Sequence, residues 1–386
     1  MRPEAAIAGV GSTPYYFRGE SAPQTLYELI GKAALAAVAD AGIAITEVDG
    51  FAFYASGFEP GLITEMLGIP EVNFASTVAA QGGGSAGVLD LAAMAVASGK
   101  AKHVLCIGAC QQSKNRYGLT LANLSPTPDS IWQRTAGLKG PGQAFAFLAQ
   151  RHIHLYGTRR EAFAEVVMAS RDYAKSQPGA IRTRGLSLDD YMASPMLADP
   201  LCKLDFCVET DGAVAFLVTS AERARDLRQK PVYIAASAHG GERAWGRSFF
   251  WLNMPDEQFT SAGGNHTARR LYEQAGVEPS DIDVALLYDH FSPLVIMQLE
   301  DYGFCPKGEG GAFVEGGAIR RDGIIPVNPH GGHLSEAYVV GMTHIREAVE
   351  QLRGTATNQI EGAKLALVTG GPAPIPMSGA ILSNAL

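Results

Sequence analysis

The sequence predicts an α/β fold made of two duplicated halves, with a helical loop insertion in the first half. Three observations carry this. The stretch AGIAITEVDGFAFY (Ala41 to Tyr54) is matched in register by AGVEPSDIDVALLY (Ala275 to Tyr288). A glycine turn, helix and strand in QGGGSAGVLDLAAMAVASGKAKHVLCIGA (Gln81 to Ala109) have the same plan as HGGHLSEAYVVGMTHIREAVEQLRG…AKLALVTGG (His330 to Gly371). Between the copies, residues 111 to about 200 differ in character, with helical segments and prolines at 126, 128, 141, 178, 195 and 200. Repeats of this kind are sought before any fold is assigned.

Each element follows from local chemistry. Helical periodicity over Leu26 to Asp40 and over His266 to Gln274 ends in both cases at a glycine, which tolerates the left-handed stop of a helix. A short polar turn and an apolar run follow, suited to a strand buried on both faces. GQAFAFLAQRHIHLYG and REAFAEVVMASRDYAKS read as insertion helices, and Asp211 to Ser220 as the strand that closes the insertion. Ser292-Pro293 is a cap and first-turn pair for a helix running to about Tyr302. The halves are expected at 1–230, with the insertion at about 111–200, and at 231–386.

Composition narrows the function. The 386 residues are 47% hydrophobic and 18% charged, with net charge −8. No basic run tracks a phosphate backbone, so no nucleic acid is expected. No stretch approaches the ~18 apolar residues of a membrane span, and no signal peptide opens the chain, so the protein is expected in the cytoplasm. Five cysteines, without zinc-knuckle spacing, are expected as reduced buried thiols with no metal site. GVGSTP (Gly9 to Pro14) lacks the third glycine of a dinucleotide fingerprint, so NAD is not expected.

The motif positions identify a resemblance to the thiolase superfamily over nearly the whole chain. Where thiolases place a nucleophilic cysteine three residues before a glycine, this chain has Gly84-Ser85-Ala86-Gly87. The Asn-Glu-Ala-Phe or His-Asp-Cys-Phe motif falls on Tyr288-Asp289-His290-Phe291. The Gly-His-Pro motif falls on Ala337-Tyr338-Val339, and the last cysteine falls near Val368. Both cysteines are missing, and both oxyanion-hole positions have become tyrosine. The blocks LYDHF (Leu287 to Phe291), YGFCPKGE (Tyr302 to Glu309), PHGGHLSEAY (Pro329 to Tyr338) and LDFCVETDGAVA (Leu204 to Ala215) closely resemble the lipid-transfer-protein-like aldolases of bacterial steroid side-chain degradation.

That resemblance implies a five-layer αβαβα homodimer. It implies retro-aldol cleavage of a steroidal β-hydroxyacyl-CoA, such as 17-hydroxy-3-oxo-4-pregnene-20-carboxyl-CoA, to a 17-oxo steroid and propionyl-CoA. No cofactor beyond the coenzyme A of the substrate is implied. A smaller partner with an OB-fold and a zinc ribbon would complete a heterotetramer.

The residues fit that chemistry. Acyl transfer needs a thiolate, and Gly84 cannot supply one. A retro-aldol reaction needs a base for the β-hydroxyl and an acid or donor for the enolate. Tyr288 and Tyr338 are the expected catalytic pair, with His290 beside them as a catalytic or orienting group. Tyr338 is expected at N3 of a helix capped by Ser335, where the helix dipole favours a phenolate. His290, His330 and His333 are the nearest further donors. Gly84, His330, Gly331 and Gly332 are expected to meet the substrate, and the glycines at 82, 83, 331 and 332 to allow tight turns. Asp289 reads as structural. Tyr338 also has a packing role open to it, since Gly341, Ile345, Ala348 and Leu352 follow at helical spacing. Two other functions compete: an acyltransferase with a different nucleophile such as Ser85, and a non-catalytic acyl-CoA or sterol binder.

Overall fold

The computed structural model describes residues 3–54, 57–78, 83–113, 131, 134–138, 140–241, 259–261, 263–371 and 377–386. Part of the insertion, and Gln81 and Gly82 of the first glycine turn, lie outside the described residues.

The strands used here are β1 (Ala5–Ser12), β2 (Gly50–Tyr54), β3 (Phe74–Val78), β4 (His103–Gln111), β5 (Thr210–Ser220), β6 (Val232–Gly240), β7 (Val284–Leu286), β8 (Leu365–Thr369) and β9 (Met377–Ser383). Their spatial order is β7-β8-β9-β6-β1-β5-β4-β2-β3. The first set has β2 parallel to β3 and β4, then β4, β5 and β1 antiparallel in turn. The second repeats the pattern: β7 is parallel to β8, with β8, β9 and β6 antiparallel in turn. Val327 bridges Ala285 of β7 in parallel, where β3 stands against β2. The sets meet where Ala6 and Ile7 of β1 pair with Tyr233 and Val232 of β6.

Helices α1 (Leu26–Ala41), α2 (Gly87–Ala97), α3 (Pro141–Tyr156), α4 (Arg160–Ala174), α5 (Asn265–Ala275), α6 (Ser292–Asp301), α7 (Gly332–Ser335) and α8 (Met342–Arg353) cover this sheet. Helix α1 starts with a Thr25–Glu28 capping box and stops at Gly42 with φ 81°. It lies so close to β1 that a Cβ at Gly9 would stand 2.1 Å from the Ala37 carbonyl, and one at Gly11 2.3 Å from that of Ala33. The glycines of GVGSTP thus serve helix-on-strand packing.

Helices α2 and α8 form the central layer. Val88, Leu89, Ala92, Ile345, Ala348 and Leu352 share one core with inner-face residues of both strand sets. A Cβ at Gly108 of β4 would meet Met342 of α8, and one at Gly87 of α2 would meet His239 of β6. Each central helix therefore touches the strand set of the other half. With α1 outside one set and α5 and α6 outside the other, the order of layers is αβαβα.

The insertion lies within the first half in sequence but packs on the second. Phe145 of α3 and Phe163 and Val167 of α4 share a core with Leu294, Val295 and Ile296 of α6. All five cysteines are free thiols. Among the described residues, no helix is long and apolar enough to cross a membrane.

Candidate active site

Beyond β7 the chain runs extended through Tyr288 before entering α6, and its backbone is laced to its neighbours by side chains. Asn328 Oδ1 accepts from the Leu287 N–H at 2.8 Å, and Asn328 Nδ2 donates to the Leu287 carbonyl at 2.8 Å. Thr369 Oγ1 of β8 accepts from the Tyr288 N–H at 2.9 Å, and Gln298 Nε2 of α6 donates to the Tyr288 carbonyl at 2.9 Å. With both backbone groups of Leu287 and of Tyr288 matched, the direction in which the Tyr288 ring leaves the chain is fixed. Ser292, expected as the cap of α6, is its first residue instead; Phe291 is the N-cap, and the Ser292 hydroxyl donates to Asp205 of the insertion.

Tyr338 is held from the other half. Thr210 of β5 accepts from its N–H at 3.0 Å and donates to its carbonyl at 2.7 Å, and Cys110 Sγ of β4 donates to the same carbonyl at 3.1 Å. The structure corrects its expected place at N3 of a helix capped by Ser335. Helix α7 ends at Ser335, and α8 begins only at Met342. Val340 and Gly341 have φ of 46° and 87°, left-handed values that no continuous helix contains. Ser335 Oγ instead meets Ser170 at 2.9 Å and Arg171 at 3.2 Å. The dipole of α8 is therefore not what acts on the Tyr338 oxygen.

The two phenols, both from the second half, meet: Tyr288 Oη and Tyr338 Oη are 2.9 Å apart, in side chains that are 0% and 2% exposed. His290 packs edge-on against Tyr288, with ring centres 5.1 Å apart, and against Phe145 at 4.7 Å. His333 touches both phenol rings, at 4.5 Å from Tyr288 and 5.0 Å from Tyr338. Burial pushes the His290 imidazole down to about 3 and holds His330 and His333 well below the ordinary histidine range. Burial thus keeps these three rings neutral near pH 7.

Asp289 organises the layer behind. Its carboxylate accepts the N–H groups of His333 at 2.8 Å and Leu334 at 3.2 Å, and His344 Nε2 lies 3.1 Å away. Asp289, His333 and His344 place three ligand-type atoms within 4.8 Å of one another, a spacing a metal ion could use. The hydrogen bond of His344 argues against one. His344 Nε2 lies 2.8 Å from the Leu287 carbonyl, so that nitrogen carries a proton and offers no lone pair.

The remaining expected contacts lie in this layer or beside it. Gly84 is in the buried turn before α2. His330 is fully buried, its ring 4.9 Å from that of His344 and its Nε2 3.8 Å from Glu336. Gly331 and Gly332 have φ of 98° and 58°; a Cβ would stand 2.8 Å from Ala174 Cβ at the first and 2.1 Å from Asp289 Oδ2 at the second. The close approach these glycines allow is made by the protein's own insertion helix and carboxylate. Sequence reading missed the backbone anchors Thr210, Cys110, Asn328, Gln298 and Thr369. Their signal is spatial: Thr210, Cys110 and Thr369 are remote in sequence from the tyrosine each holds, Asn328 acts through neighbouring Leu287, and Gln298 reaches back from the adjoining helix.

A cavity of about 870 Å³ borders Phe206, Cys207 and Phe291, and Arg18, Arg171, Arg182 and Lys203 also line it. It adjoins the tyrosines' layer, because the Cys207 N–H donates to the His290 carbonyl at 3.0 Å. Phe291 and Phe206 stack edge-on at 4.9 Å on its wall.

Residues 251–383 match the thiolase C-terminal domain-like family. The chain is 38% identical over 387 residues to the 17-hydroxy-3-oxo-4-pregnene-20-carboxyl-CoA lyase of Mycobacterium tuberculosis, covering 98% of this chain and 99% of that one. It is 39% identical to the steroid side-chain-cleaving aldolase of Thermomonospora curvata, covering 98% and 97% of the two. Among solved structures, an Ltp2-ChsH2(DUF35) aldolase superposes with a TM-score of 0.91 at 37% identity, covering 99% of this chain and 98% of that one. With its αβαβα layers and a tyrosine pair at the meeting of its halves, the chain belongs to the thiolase-superfamily steroid side-chain-cleaving aldolases.

Proposed function

We propose that this protein cleaves a steroidal β-hydroxyacyl-CoA by a retro-aldol reaction, with 17-hydroxy-3-oxo-4-pregnene-20-carboxyl-CoA as the type of substrate and a 17-oxo steroid and propionyl-CoA as products. The observation that carries it is the 2.9 Å contact between the Tyr288 and Tyr338 hydroxyls, in a chain with glycine at the acyl-transfer position, Gly84. A phenol pair sharing one hydrogen bond can hold a single negative charge as phenol and phenolate. The phenolate takes the β-hydroxyl proton, the Cα–Cβ bond breaks to give a ketone and a thioester enolate, and the other phenol protonates the enolate carbon. A proton passing back along the hydrogen bond restores the pair. Atoms and charge balance without a metal or a redox cofactor.

His290 supports the base by packing, as a neutral ring. Gly84 leaves room for the acyl group where a cysteine side chain would stand, and His330, Gly331 and Gly332 support the pair from behind. The cations Arg18, Arg182 and Lys203 beside Phe291 suit the phosphates of coenzyme A, with the cavity taking the pantetheine arm.

The working assembly is a homodimer joined by a smaller OB-fold and zinc-ribbon partner. Strand β3 ends the sheet, its Ala75 and Thr77 are exposed, and Val72 before it and Met94 on neighbouring α2 are exposed hydrophobics. Such an edge pairs readily with a second copy.

The test is to incubate the protein with the steroidal β-hydroxyacyl-CoA, alone and with the partner, and to analyse products by mass spectrometry. Release of the 17-oxo steroid with propionyl-CoA is expected, and Tyr288→Phe and Tyr338→Phe should each lose about a hundredfold or more. Normal rates in both folded variants would overturn the reading.

A further inference from the structure

Ser85 closes the glycine turn that leads into the 11-residue helix α2. Its side chain is fully buried, and its hydroxyl has no hydrogen-bond partner among the described residues. A buried hydroxyl left unmatched is costly, so one kept in a native fold calls for a partner, whether water, substrate or another state of a neighbouring group.

The neighbours identify that state. A Cβ built at Gly341 would stand 2.6 Å from Ser85 Oγ and 2.7 Å from Tyr288 Cε2. Cε2 is bonded to the carbon that bears the phenol oxygen, so the serine hydroxyl and that edge of the Tyr288 ring face the same space above Gly341, no more than about 5.3 Å apart. Only a glycine at 341 leaves those two groups this close. The proposed reaction requires one phenol to be anionic, yet the His290 and His333 rings packed against Tyr288 are kept neutral by burial, so neither balances that charge as a cation. Two features on the first half can: the positive end of α2 and the unmatched hydroxyl at its approach.

We propose that Ser85 is a positioning residue that donates its hydrogen bond to the Tyr288 oxygen when that oxygen is a phenolate, and so makes Tyr288 the base and Tyr338 the acid. This rests on the retro-aldol reading above. It also gives Ser85 a role distinct from that of a nucleophile: the hydroxyl keeps its proton throughout, and no acyl-enzyme forms on it.

The experiment compares Ser85→Ala, Ser85→Cys and Tyr288→Phe in the full protein with its partner, measuring kcat against pH, thermal unfolding and protein mass during turnover. Loss of the donor raises the pKa of the base, so activity should fall at neutral pH and return as pH rises. For Ser85→Ala the expected result is a kcat about 10- to 100-fold lower at pH 7 and an acid limb moved up by about one to two pH units. Melting should not fall, because the hydroxyl removed is unmatched, and Ser85→Cys, a weaker donor, should lie between. An unshifted pH profile in Ser85→Ala beside an inactive Tyr288→Phe would overturn this inference alone. An acyl adduct on Ser85 would also overturn it, and a fully active Tyr288→Phe would overturn both this and the reaction on which it rests.

Discussion

The two halves deliver α2 and α8 to the same central layer through turns of unequal length. The first half passes from its glycines to α2 through Gly83, Gly84, Ser85 and Ala86, and the second takes residues 333–341 to reach α8. The short turn offers one hydroxyl and otherwise backbone. The long turn brings His333, Glu336 and Tyr338, all buried. The strand ends differ in the same way. Tyr54 and Tyr288 occupy matched positions, and Tyr288 meets a second phenol, Tyr338, which the long turn carries. The duplicated scaffold is therefore neutral as to chemistry, and the asymmetry of one loop is what brings together the proposed acid–base pair.

Exchanging the matched tyrosines breaks this comparison most sharply. Tyr288→Phe removes a reacting oxygen and should lower kcat by about a hundredfold or more. Tyr54→Phe removes an oxygen from the central core and should leave kcat near the parental value, with a stability change of about 1 kcal/mol. Steady-state rates and urea unfolding of both variants decide it. Equal losses of activity would mean that the first half also supplies acid–base chemistry.

Much of this division is legible in the sequence. Helices α1, α3, α4 and α5 and strands β2, β5 and β7 follow from periodicity and from glycine stops, which are local signals. Tyr288 and Tyr338 stand out through motif position, since each takes the place of a polar residue of the superfamily. The course of the chain around Tyr338 is not legible. Val340 adopts a left-handed φ without being glycine, so nothing in the sequence announces that the helix is postponed to Met342. Nor does any local pattern show that the insertion covers the opposite half, or that Thr210 and Cys110 clamp the Tyr338 backbone. Those facts belong to tertiary packing, where residues far apart in sequence decide each other's place.

Gly341 tests how tightly the long turn is fitted to the short one. Gly341→Ala combines a left-handed φ of 87° with a Cβ only 2.6 Å from Ser85 Oγ. Gly354, at the other end of the same helix, has φ 78° with nothing within 4 Å of its added Cβ. Both substitutions carry the conformational cost of about 1–2 kcal/mol. Gly341→Ala should cost about 1–3 kcal/mol more through overpacking, and should also lower activity by moving Ser85 or Tyr288. Urea midpoints for the two variants isolate the packing cost. Equal midpoints would show that the halves do not meet tightly there.

The smallest expected effect is a pH dependence that belongs to the second half. Helix α2 buries only apolar side chains, whereas α8 buries Glu347, whose carboxyl is pushed up to about 8 by burial and by Glu350 nearby. One oxygen of Glu347 accepts from Gln351 at 2.8 Å, and the other has no hydrogen-bond partner. Between the unfolded carboxyl range near 4.3 and pH 8, the folded protein keeps this proton while the unfolded chain has released it. Unfolding therefore releases a proton, so the Glu347 contribution lowers stability as pH rises through that window and is constant above it. Burial of the His290, His330 and His333 imidazoles acts in the opposite sense, favouring unfolding as pH falls below about 6.5, where the unfolded rings take up protons. Glu347→Gln removes only the first contribution, and its amide can still accept from Gln351. The variant should match the parent at pH 4 and be more stable by about 1–2 kcal/mol at pH 9. Its acid limb, set by the histidines, should be unchanged. Urea unfolding at the two pH values measures this, and a variant that is less stable at pH 9 would mean that the ionised Glu347 carboxylate contributes to folding through a partner that offsets its burial.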